Sequence, residues 1–248
     1  MLDRLEGANY FSTLDLKAGY WHVPVRLEDR QKTAFITPDG LYEFKRMPFG
    51  LCNAPFTFQR LMDKVLVRLK WQMCLVYLDD VIVFGRSFAE HQQRLEAELI
   101  ALEIAGLRLN AAKCSFAKKE VIFLGHLIGE YGIRPDPSKL CAISAFPVPT
   151  NVAGVRSLLG LFSYYRRFVP EFATIALPLV QLLKKGTVWT WNQQQQEAME
   201  LLQTALLNAP PLAQDDGKCE LHLKVDASGV GLGAVLSRKD NEHERPIE

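Results

Sequence analysis

The feature that most constrains the fold is a pair of adjacent aspartates, Asp79 and Asp80, inside an otherwise apolar and β-branched run from Met73 to Phe84. Two neighbouring carboxylates repel each other and disfavour a continuous strand. The run therefore predicts two strands joined by a tight turn at the acidic pair. A solvated hairpin turn is the ordinary explanation for such a pair. The apolar flanks, Tyr77-Leu78 and Val81-Ile82-Val83, instead favour a core hairpin whose tip presents acids suited to divalent cations.

A third carboxylate, Asp15, lies near the end of a strand predicted from Tyr10 to Leu16. An acid in that position is unfavourable unless a cation meets it. Three carboxylates on two adjacent strands fit two Mg²⁺ ions about 3.5–4 Å apart, the arrangement of two-metal phosphoryl transfer. Oxygen ligands suit Mg²⁺, and the sequence lacks the paired His or Cys ligands typical of Zn²⁺. Spacing alone leaves the solvated turn open.

Turn and capping residues divide the rest of the first half. Pro38-Asp39-Gly40 predicts the turn of a β-hairpin. Asn53 and Pro55 predict the start of a helix, and a capping box from Ser87 to Glu90 predicts a second helix, which Gly106 ends. The apolar residues of the first helix fall on one face, namely Phe58, Leu61, Met62, Val65 and Leu66. The second helix runs through Leu95, Leu99 and Leu102.

The second half changes character at a Gly/Pro-rich stretch, residues 129–137, which predicts a subdomain boundary. A strand from Val121 to Leu127 precedes this stretch, and helices are predicted from there to about residue 208. A last strand is predicted from Glu220 to Asp226.

Composition narrows the class of protein. The longest apolar runs are far shorter than the ~20 residues of a membrane helix, and the N-terminus does not resemble a signal peptide. The five cysteines form no C-x-x-C pair. We therefore expect an intracellular protein without membrane association. Net charge is +5 over residues 91–185 and −5 over residues 186–248, and the basic centre is compatible with a phosphate backbone.

Several motifs in register carry a more specific signal. They are FSTLDLKAGYW (11–21), MPFGLCNAPFTFQ (47–59), YLDD (77–80), FLGH (123–126), GIRPDP (132–137), LGLFSYYRRF (159–168) and VDASGVGLGAVL (225–236). In order and spacing they resemble the reverse transcriptase and RNase H region of the Pol polyprotein of gypsy-type LTR retrotransposons. The resemblance covers essentially the whole chain, and it implies a location in the cytoplasm, a virus-like particle or the nucleus.

The resemblance implies a role for each matching position. Asp15, Asp79 and Asp80 would be the catalytic carboxylates that bind two Mg²⁺ ions, for which Mn²⁺ can substitute. The residues implied in nucleotide binding are Leu16, Tyr20, Phe49, Gly50 and Lys113, with Tyr20 as an aromatic gate against the 2′-hydroxyl and Lys113 as a proton donor to pyrophosphate. From the residues alone, Tyr20 would be a core tyrosine and Lys113 a solvated lysine.

Further positions would contact the primer and template. They are Tyr77, the primer grip Phe123, Leu124, Gly125 and His126, and the thumb residues Tyr164, Arg166 and Arg167. Asp226 would be the first acid of an RNase H site. The implied partners are an RNA or DNA template with its primer and deoxynucleoside triphosphates, with a second Pol chain as a further candidate.

The implied architecture is α+β. It consists of a reverse transcriptase palm with partial fingers (1–131, with the fingers hairpin and helix within 26–70), a thumb (132–186), a connection (187–217) and the first strands of an RNase H-like domain (218–248). Compared with the family, both ends look cut. We expect the upstream fingers segment to be absent and unpaired sheet edges or disorder after about residue 218.

Two functions follow. The chain is either a catalytic fragment of an RNA-directed DNA polymerase or an inactive truncated product that only binds nucleic acid or a partner chain. The intact aspartate set favours the first, and the missing fingers favour the second. We expect no RNase H activity, because a single acid cannot hold a two-metal site.

Overall fold

A computed structural model describes residues 1–212, 220–227, 232–240 and 243–247. The chain divides into two compact units, Met1–Leu124 and Gly125–Glu248. Each unit combines helices with antiparallel strands, which confirms the predicted α+β class. Across the described ranges, every helix is too short or too polar to cross a lipid bilayer.

The first unit alternates strands and helices. In chain order the elements are β1 (Tyr10–Asp15), β2 (Phe35–Thr37), β3 (Gly40–Tyr42), α1 (Ala54–Val65), β4 (Cys74–Tyr77), β5 (Asp80–Gly85), α2 (Phe88–Ile104), β6 (Ser115–Lys118) and β7 (Glu120–Phe123). The 3₁₀ segments are Leu2–Leu5, Gly19–His22, Leu27–Thr33 and Ala111–Lys113. The β2–β3 and β4–β5 hairpins confirm both predicted turns.

An antiparallel sheet with the strand order β4-β5-β1-β6 forms the centre of this fully described unit. In its register Leu14 lies opposite Val81, and Asp15 lies opposite Asp80. Because side chains alternate between the two faces of a sheet, the apolar pair points to one face and the aspartates to the other. Residues of α1 and α2 pack against Leu14 and Val81 in the main core.

The inward face of α1 follows the predicted spacing. Phe58 and Met62 are fully buried, as is Leu66 directly after the helix. Leu61 and Val65 are partly buried against the same core. The helical repeat of apolar residues therefore directs this helix onto the sheet.

The two predicted helix caps differ in outcome. Ser87 Oγ accepts a hydrogen bond from the Glu90 N–H at 3.2 Å, as predicted, whereas the Glu90 carboxylate accepts from the Arg86 N–H at 2.8 Å and not from Ser87. Asn53 occupies the N-cap position of α1 and Pro55 lies in its first turn, which confirms the predicted start of the helix, although the Asn53 side chain caps no helical N–H. Its backbone, at φ −96° and ψ 0°, departs from the extended conformation typical of capping residues.

The buried face of α2 is more polar than predicted. His91, Glu98 and Leu102 are buried, Leu95 is partly buried, and Leu99 is exposed. Residues 91 and 98 are two helical turns apart, and residues 98 and 102 are one turn apart, so all three lie on the same face of the helix. Leu99 lies at the edge of this face. Two ionisable side chains, His91 and Glu98, therefore share the buried face with Leu102.

From Gly125 onward, the described elements in chain order are β8 (His126–Gly129), β9 (Gly132–Pro135), α3 (Pro137–Ser144), α4 (Val152–Tyr164), α5 (Phe172–Gln181), α6 (Gln193–Leu207), β10 (Leu221–Ala227), β11 (Leu232–Asp240) and β12 (His243–Pro246). Helices α3 to α6 confirm the helical stretch. In the described part after residue 218, the strands form a sheet ordered β10-β11-β12, with β10 and β12 outermost, and not a disordered segment.

The strand predicted from Val121 to Leu127 is wrong as a single element. β7 ends at Phe123, and both Leu124 (φ 47°) and Gly125 (φ 68°) adopt left-handed backbone conformations, which a continuous strand does not accommodate. The Gly/Pro-rich stretch 129–137 contains β9, which its composition concealed. The division into palm, thumb, connection and RNase H-like segment stays a prediction, and its border at residues 217–218 lies outside the described residues.

Glu98 is an ionisable group enclosed in the core of the first unit. Its side chain is fully buried. Burial raises the pKa of Glu98 to about 7. Burial also raises the pKa of the neighbouring Cys74 thiol on β4, and the Glu98 charge adds to that effect. The folded chain therefore keeps the Glu98 proton to higher pH than the unfolded chain, whose glutamates ionise near ~4.3.

We predict that the contribution of Glu98 to the free energy of unfolding falls as pH rises from about 4.5 to 7, because Glu98 keeps its proton in the native state where the unfolded chain has lost it. The contribution of Glu98 is on the order of 3 kcal/mol. Glu98→Gln keeps the shape, removes the titration, and is expected to exceed the parent in stability at pH 8. Urea denaturation followed by circular dichroism between pH 5 and 8 measures this difference. Glu96→Gln, exposed on the same helix, serves as the control, and an identical pH dependence of Glu98→Gln and the parent would contradict the prediction.

Candidate active site

Three aspartates meet at one end of the central sheet. Asp15 is the last residue of β1, and Asp80 is the first residue of β5, directly opposite it. Asp79 precedes Asp80 in the short turn that follows β4. The structure thus brings the three predicted carboxylates to the same edge.

The charges of these aspartates act on one another. Burial is the main cause that raises the pKa of Asp79, and the charges of Asp80 and Asp15 raise it further. Burial is also the main cause that raises the pKa of Asp80. The Asp15 charge raises this pKa further, and Lys113 lowers it. The Lys113 Nζ lies 3.7 Å from Asp15 Oδ2. Three carboxylates outnumber this ammonium group, so the site favours an added cation.

One carboxylate oxygen has the surroundings expected of a metal ligand. Asp79 Oδ1 is buried and has no hydrogen-bond partner among the described residues. A Cβ at Gly19 would lie 2.6 Å from this oxygen and 2.8 Å from Phe58 Cζ, so a glycine at position 19 leaves room for the carboxylate. A buried anionic oxygen without a donor is unfavourable unless a cation meets it.

The donor set fits a hard divalent cation such as Mg²⁺ because all three side chains offer carboxylate oxygens. Within the described ranges, no three His, Cys, Asp or Glu side chains are already arranged as a complete metal-binding group. The aspartates therefore fit a metal by chemistry and charge, and their final geometry depends on the metal itself.

The turn that carries Asp79 is held by a residue that the sequence did not single out. Leu78 has a left-handed backbone conformation (φ 54°), and its N–H donates to Gln59 Oε1 at 2.7 Å. Gln59 projects from α1 and is the last residue of the motif at residues 47–59. Gly19 likewise belongs to the motif at residues 11–21. Membership in those motifs was the available signal for both residues.

An aromatic surface adjoins the acidic edge. The Tyr20 ring lies 5.2 Å from that of Phe49 and 5.5 Å from that of Phe58, measured between centroids. Burial raises the pKa of Tyr20, and the Asp79 charge adds to the effect. Phe49 is largely exposed. A Cβ at Gly50 would meet no other atom, so the packing of neighbouring atoms does not require glycine there. The backbone does favour glycine, because its φ of 93° is in the left-handed region.

Leu16 and Tyr77, two further residues of the predicted site, differ in the exposure of their side chains. The Leu16 side chain is buried and its backbone pairs with Leu109, so any contact of Leu16 with a nucleotide would involve the main chain. Tyr77 is half-exposed and lies opposite Asp80 across the β4–β5 hairpin.

In the second unit, Gly125 and His126 belong to an aromatic cluster. The His126 ring lies 5.4 Å from Tyr164 and 5.6 Å from Tyr165 between centroids. The Tyr165 hydroxyl donates to the Gly125 carbonyl at 2.8 Å. Burial raises the pKa of Tyr165 to about 12, so this hydroxyl stays protonated at neutral pH. Tyr165 thereby fixes the start of β8, and Tyr164 is half-exposed beside it.

The remaining residues predicted to bind the primer or template differ in how far their side chains are exposed. Arg166 is exposed, whereas Arg167 is half-buried and donates from Nη2 to the Ile247 carbonyl at 3.2 Å. Phe123 is buried and Leu124 is half-buried. Their contacts with primer or template stay predictions.

Together, the fold and the site define a class. An antiparallel sheet with two helices packed on one face and three aspartates at the ends of adjacent strands has the carboxylate arrangement of enzymes that transfer phosphoryl groups with two metal ions. A family model described as "Reverse transcriptase (RNA-dependent DNA polymerase)" matches residues 1–128. The chain belongs to this family, whose members are nucleotidyltransferases. A second model, "RNase H-like domain found in reverse transcriptase", matches residues 191–248 and includes Asp226, which is exposed on β10.

Curated relatives confirm the resemblance to retrotransposon Pol polyproteins. The chain is 44% identical over 239 residues to the Pol polyprotein of transposon 297 of Drosophila melanogaster, covering 96% of this chain and 23% of that protein. It is 39% identical over 259 residues to the Pol polyprotein of transposon gypsy of the same species, covering 100% of this chain and 25% of that protein. The chain thus spans about a quarter of the length of these relatives.

Solved structures confirm the fold. The foamy viral protease-reverse transcriptase in complex with an RNA/DNA hybrid matches with a TM-score of 0.80 and 28% identity, over 99% of this chain and 34% of that one. The dRH form of the foamy viral protease-reverse transcriptase, in complex with double-stranded DNA, matches with a TM-score of 0.83 and 28% identity. This match covers 96% of this chain and 42% of the foamy viral chain.

We predict that Asp79→Asn raises thermal stability in the absence of divalent cations. The raised pKa of Asp79 means that its ionised form opposes folding above its ordinary pKa, and asparagine removes that charge. Because the site is partly solvated, the gain is about 1 kcal/mol or less. Differential scanning fluorimetry in EDTA at pH 7.5 tests the effect. Added Mn²⁺ is expected to stabilise the parent more than the variant, and a lower melting temperature of Asp79→Asn in EDTA would contradict the prediction.

Proposed function

We propose that this chain supplies the polymerase part of an RNA-directed DNA polymerase, which adds deoxynucleotides to the 3′ end of a primer. The observation that carries the proposal is the convergence of Asp15, Asp79 and Asp80, with Asp79 Oδ1 buried and without a hydrogen-bond partner in the described part of the chain. Membership in the reverse transcriptase family supports it.

In this proposal the three aspartates hold two Mg²⁺ ions, and Mn²⁺ can replace them. When bound, the ions lower the pKa of the primer 3′-hydroxyl and neutralise the triphosphate and the leaving pyrophosphate. The chain's own contribution is to hold three carboxylates close together despite their repulsion. Lys113, 3.7 Å from Asp15 Oδ2, offsets part of that repulsion. In this proposal it also donates a proton to the leaving pyrophosphate.

The incoming deoxynucleoside triphosphate would lie against Tyr20 and Phe49. The Tyr20 ring is packed between Phe49 and Phe58, so it cannot easily withdraw from a bulkier sugar. A ring fixed in this way discriminates against a 2′-hydroxyl by steric exclusion. Gly50 and the Leu16 main chain complete the proposed nucleotide site.

The proposed nucleic-acid partner is a template with its primer. The foamy viral relatives were solved with double-stranded DNA and with an RNA/DNA hybrid. In this chain the half-exposed Tyr164 and exposed Arg166 offer an aromatic face and a guanidinium group, which suit sugars and phosphates. The net charge of +5 over residues 91–185 favours a polyanion.

Primer extension tests this proposal. The chain is incubated with a DNA primer on an RNA template, deoxynucleotides and Mg²⁺ or Mn²⁺. We expect metal-dependent extension that the double substitution Asp79→Asn/Asp80→Asn reduces by at least about a hundredfold, because the metal ligands contribute several kcal/mol to the transition state. Glu96→Gln removes an exposed acid from α2 and is expected to leave extension unchanged.

The alternative function predicts a different pattern. A chain that binds primer–template without extending it would be the inactive binding product considered above. A chain that neither extends nor binds primer–template would contradict the polymerase function and the nucleic-acid-binding form of the alternative, and would leave only binding to a partner chain.

A further inference from the structure

A chain of hydrogen bonds links the acidic turn to the far end of α1. The Leu78 N–H donates to Gln59 Oε1 at 2.7 Å, and Gln59 Nε2 donates to Asp63 Oδ1 at 2.9 Å. The Lys70 ammonium donates to the same Asp63 oxygen. Lys70 also stands 5.1 Å from the Trp71 ring centroid, and its side chain is largely buried. Three side chains thus connect Leu78 to the segment after α1.

The direction of each hydrogen bond in this chain is determined by chemistry. An ammonium only donates and an ionised carboxylate only accepts, so Asp63 selects the NH₂ side of the Gln59 amide. The carbonyl side of the amide is then left facing the Leu78 N–H. The hydrogen bond from Lys70 is the main cause that lowers the pKa of Asp63, against the effect of burial, and Gln59 lowers it further. Asp63 therefore remains an acceptor at neutral pH.

The Leu78 backbone needs such support. A non-glycine residue with φ 54° is strained, because its Cβ lies close to the following carbonyl oxygen. Asp79 and Asp80 follow directly, so a small rotation at Leu78 displaces both carboxylates. An acceptor fixed on α1 holds the turn in the conformation that points them at Asp15.

We propose that Gln59, Asp63 and Lys70 form a positioning relay that sets the Leu78–Asp79 turn for metal binding. The relay acts through the turn and not on the substrate, so its members are positioning residues. This inference deepens the proposed function and rests on it for its role in catalysis, although its effect on metal affinity is measurable without any reaction.

The test measures Mn²⁺ binding to the full chain by electron paramagnetic resonance, without nucleic acid. Gln59→Leu removes the acceptor, and Asp63→Asn keeps the shape but no longer selects the amide orientation. Each is expected to weaken Mn²⁺ binding on the order of tenfold, the size typical of groups that orient metal ligands. Gln93→Leu, the same change at an exposed position of α2, is expected to bind Mn²⁺ like the parent.

Two further measurements separate positioning from general damage. Affinity for primer–template is expected to stay unchanged in Gln59→Leu and Asp63→Asn, while the Mn²⁺ concentration for half-maximal extension rises in step with the Mn²⁺ dissociation constant. Thermal denaturation reports folding, and if Gln59→Leu unfolds, Asp63→Asn carries the test.

The outcomes distinguish this inference from the proposed function. If the parent extends primers and both variants bind Mn²⁺ as it does, the relay is overturned and the polymerase function stands. If the parent binds Mn²⁺ but does not extend primers, the proposed function fails, and weaker Mn²⁺ binding by the variants still supports the relay's effect on metal affinity. A parent that binds no Mn²⁺ overturns both.

Discussion

The antiparallel pairing of β1 with β5 is the interaction on which the site depends. Its register places Asp15 opposite Asp80, a like-charge pair that destabilises a sheet. One residue away, Leu14 and Val81 are buried against α1 and α2. A slip of one residue would exchange the two faces and expose that core. Hydrophobic burial therefore enforces a pairing that electrostatics opposes.

The residues around the site reduce the remaining freedom of the carboxylates. Gly19 leaves space for the Asp79 side chain, and Gln59 holds the turn in which Asp79 lies. Lys113 approaches Asp15 from the 3₁₀ segment before β6. The result is an anionic edge whose backbone is held by the fold, while the three carboxylates do not form a complete metal-binding group in the described residues.

Much of the fold and the three aspartates could be predicted because their signals are local. Apolar alternation and turn residues located β1 and both hairpins, and an acidic pair in a core hairpin is unusual enough to need an explanation. Other features depend on tertiary contacts that leave no local pattern. Glu98 takes a leucine-like place on α2, Leu124 adopts a left-handed conformation without glycine, and Gln59 reaches Leu78 only because α1 packs beside the β4–β5 turn. The roles of the nucleotide- and primer-binding residues came from the family resemblance, since exposure and spacing alone also fit ordinary surface residues.

The central claim is that Asp15, Asp79 and Asp80 form one divalent-cation site. Iron-mediated cleavage tests it most directly, because Fe²⁺ bound in a Mg²⁺ site generates hydroxyl radicals, with ascorbate and peroxide, that cut the nearby backbone. Cleavage is expected close to Asp15 and to the Tyr77–Asp80 turn, suppressed by excess Mg²⁺ and lost in Asp79→Asn/Asp80→Asn. Cleavage elsewhere, or cleavage at these positions that neither Mg²⁺ nor the substitutions diminish, would contradict the claim.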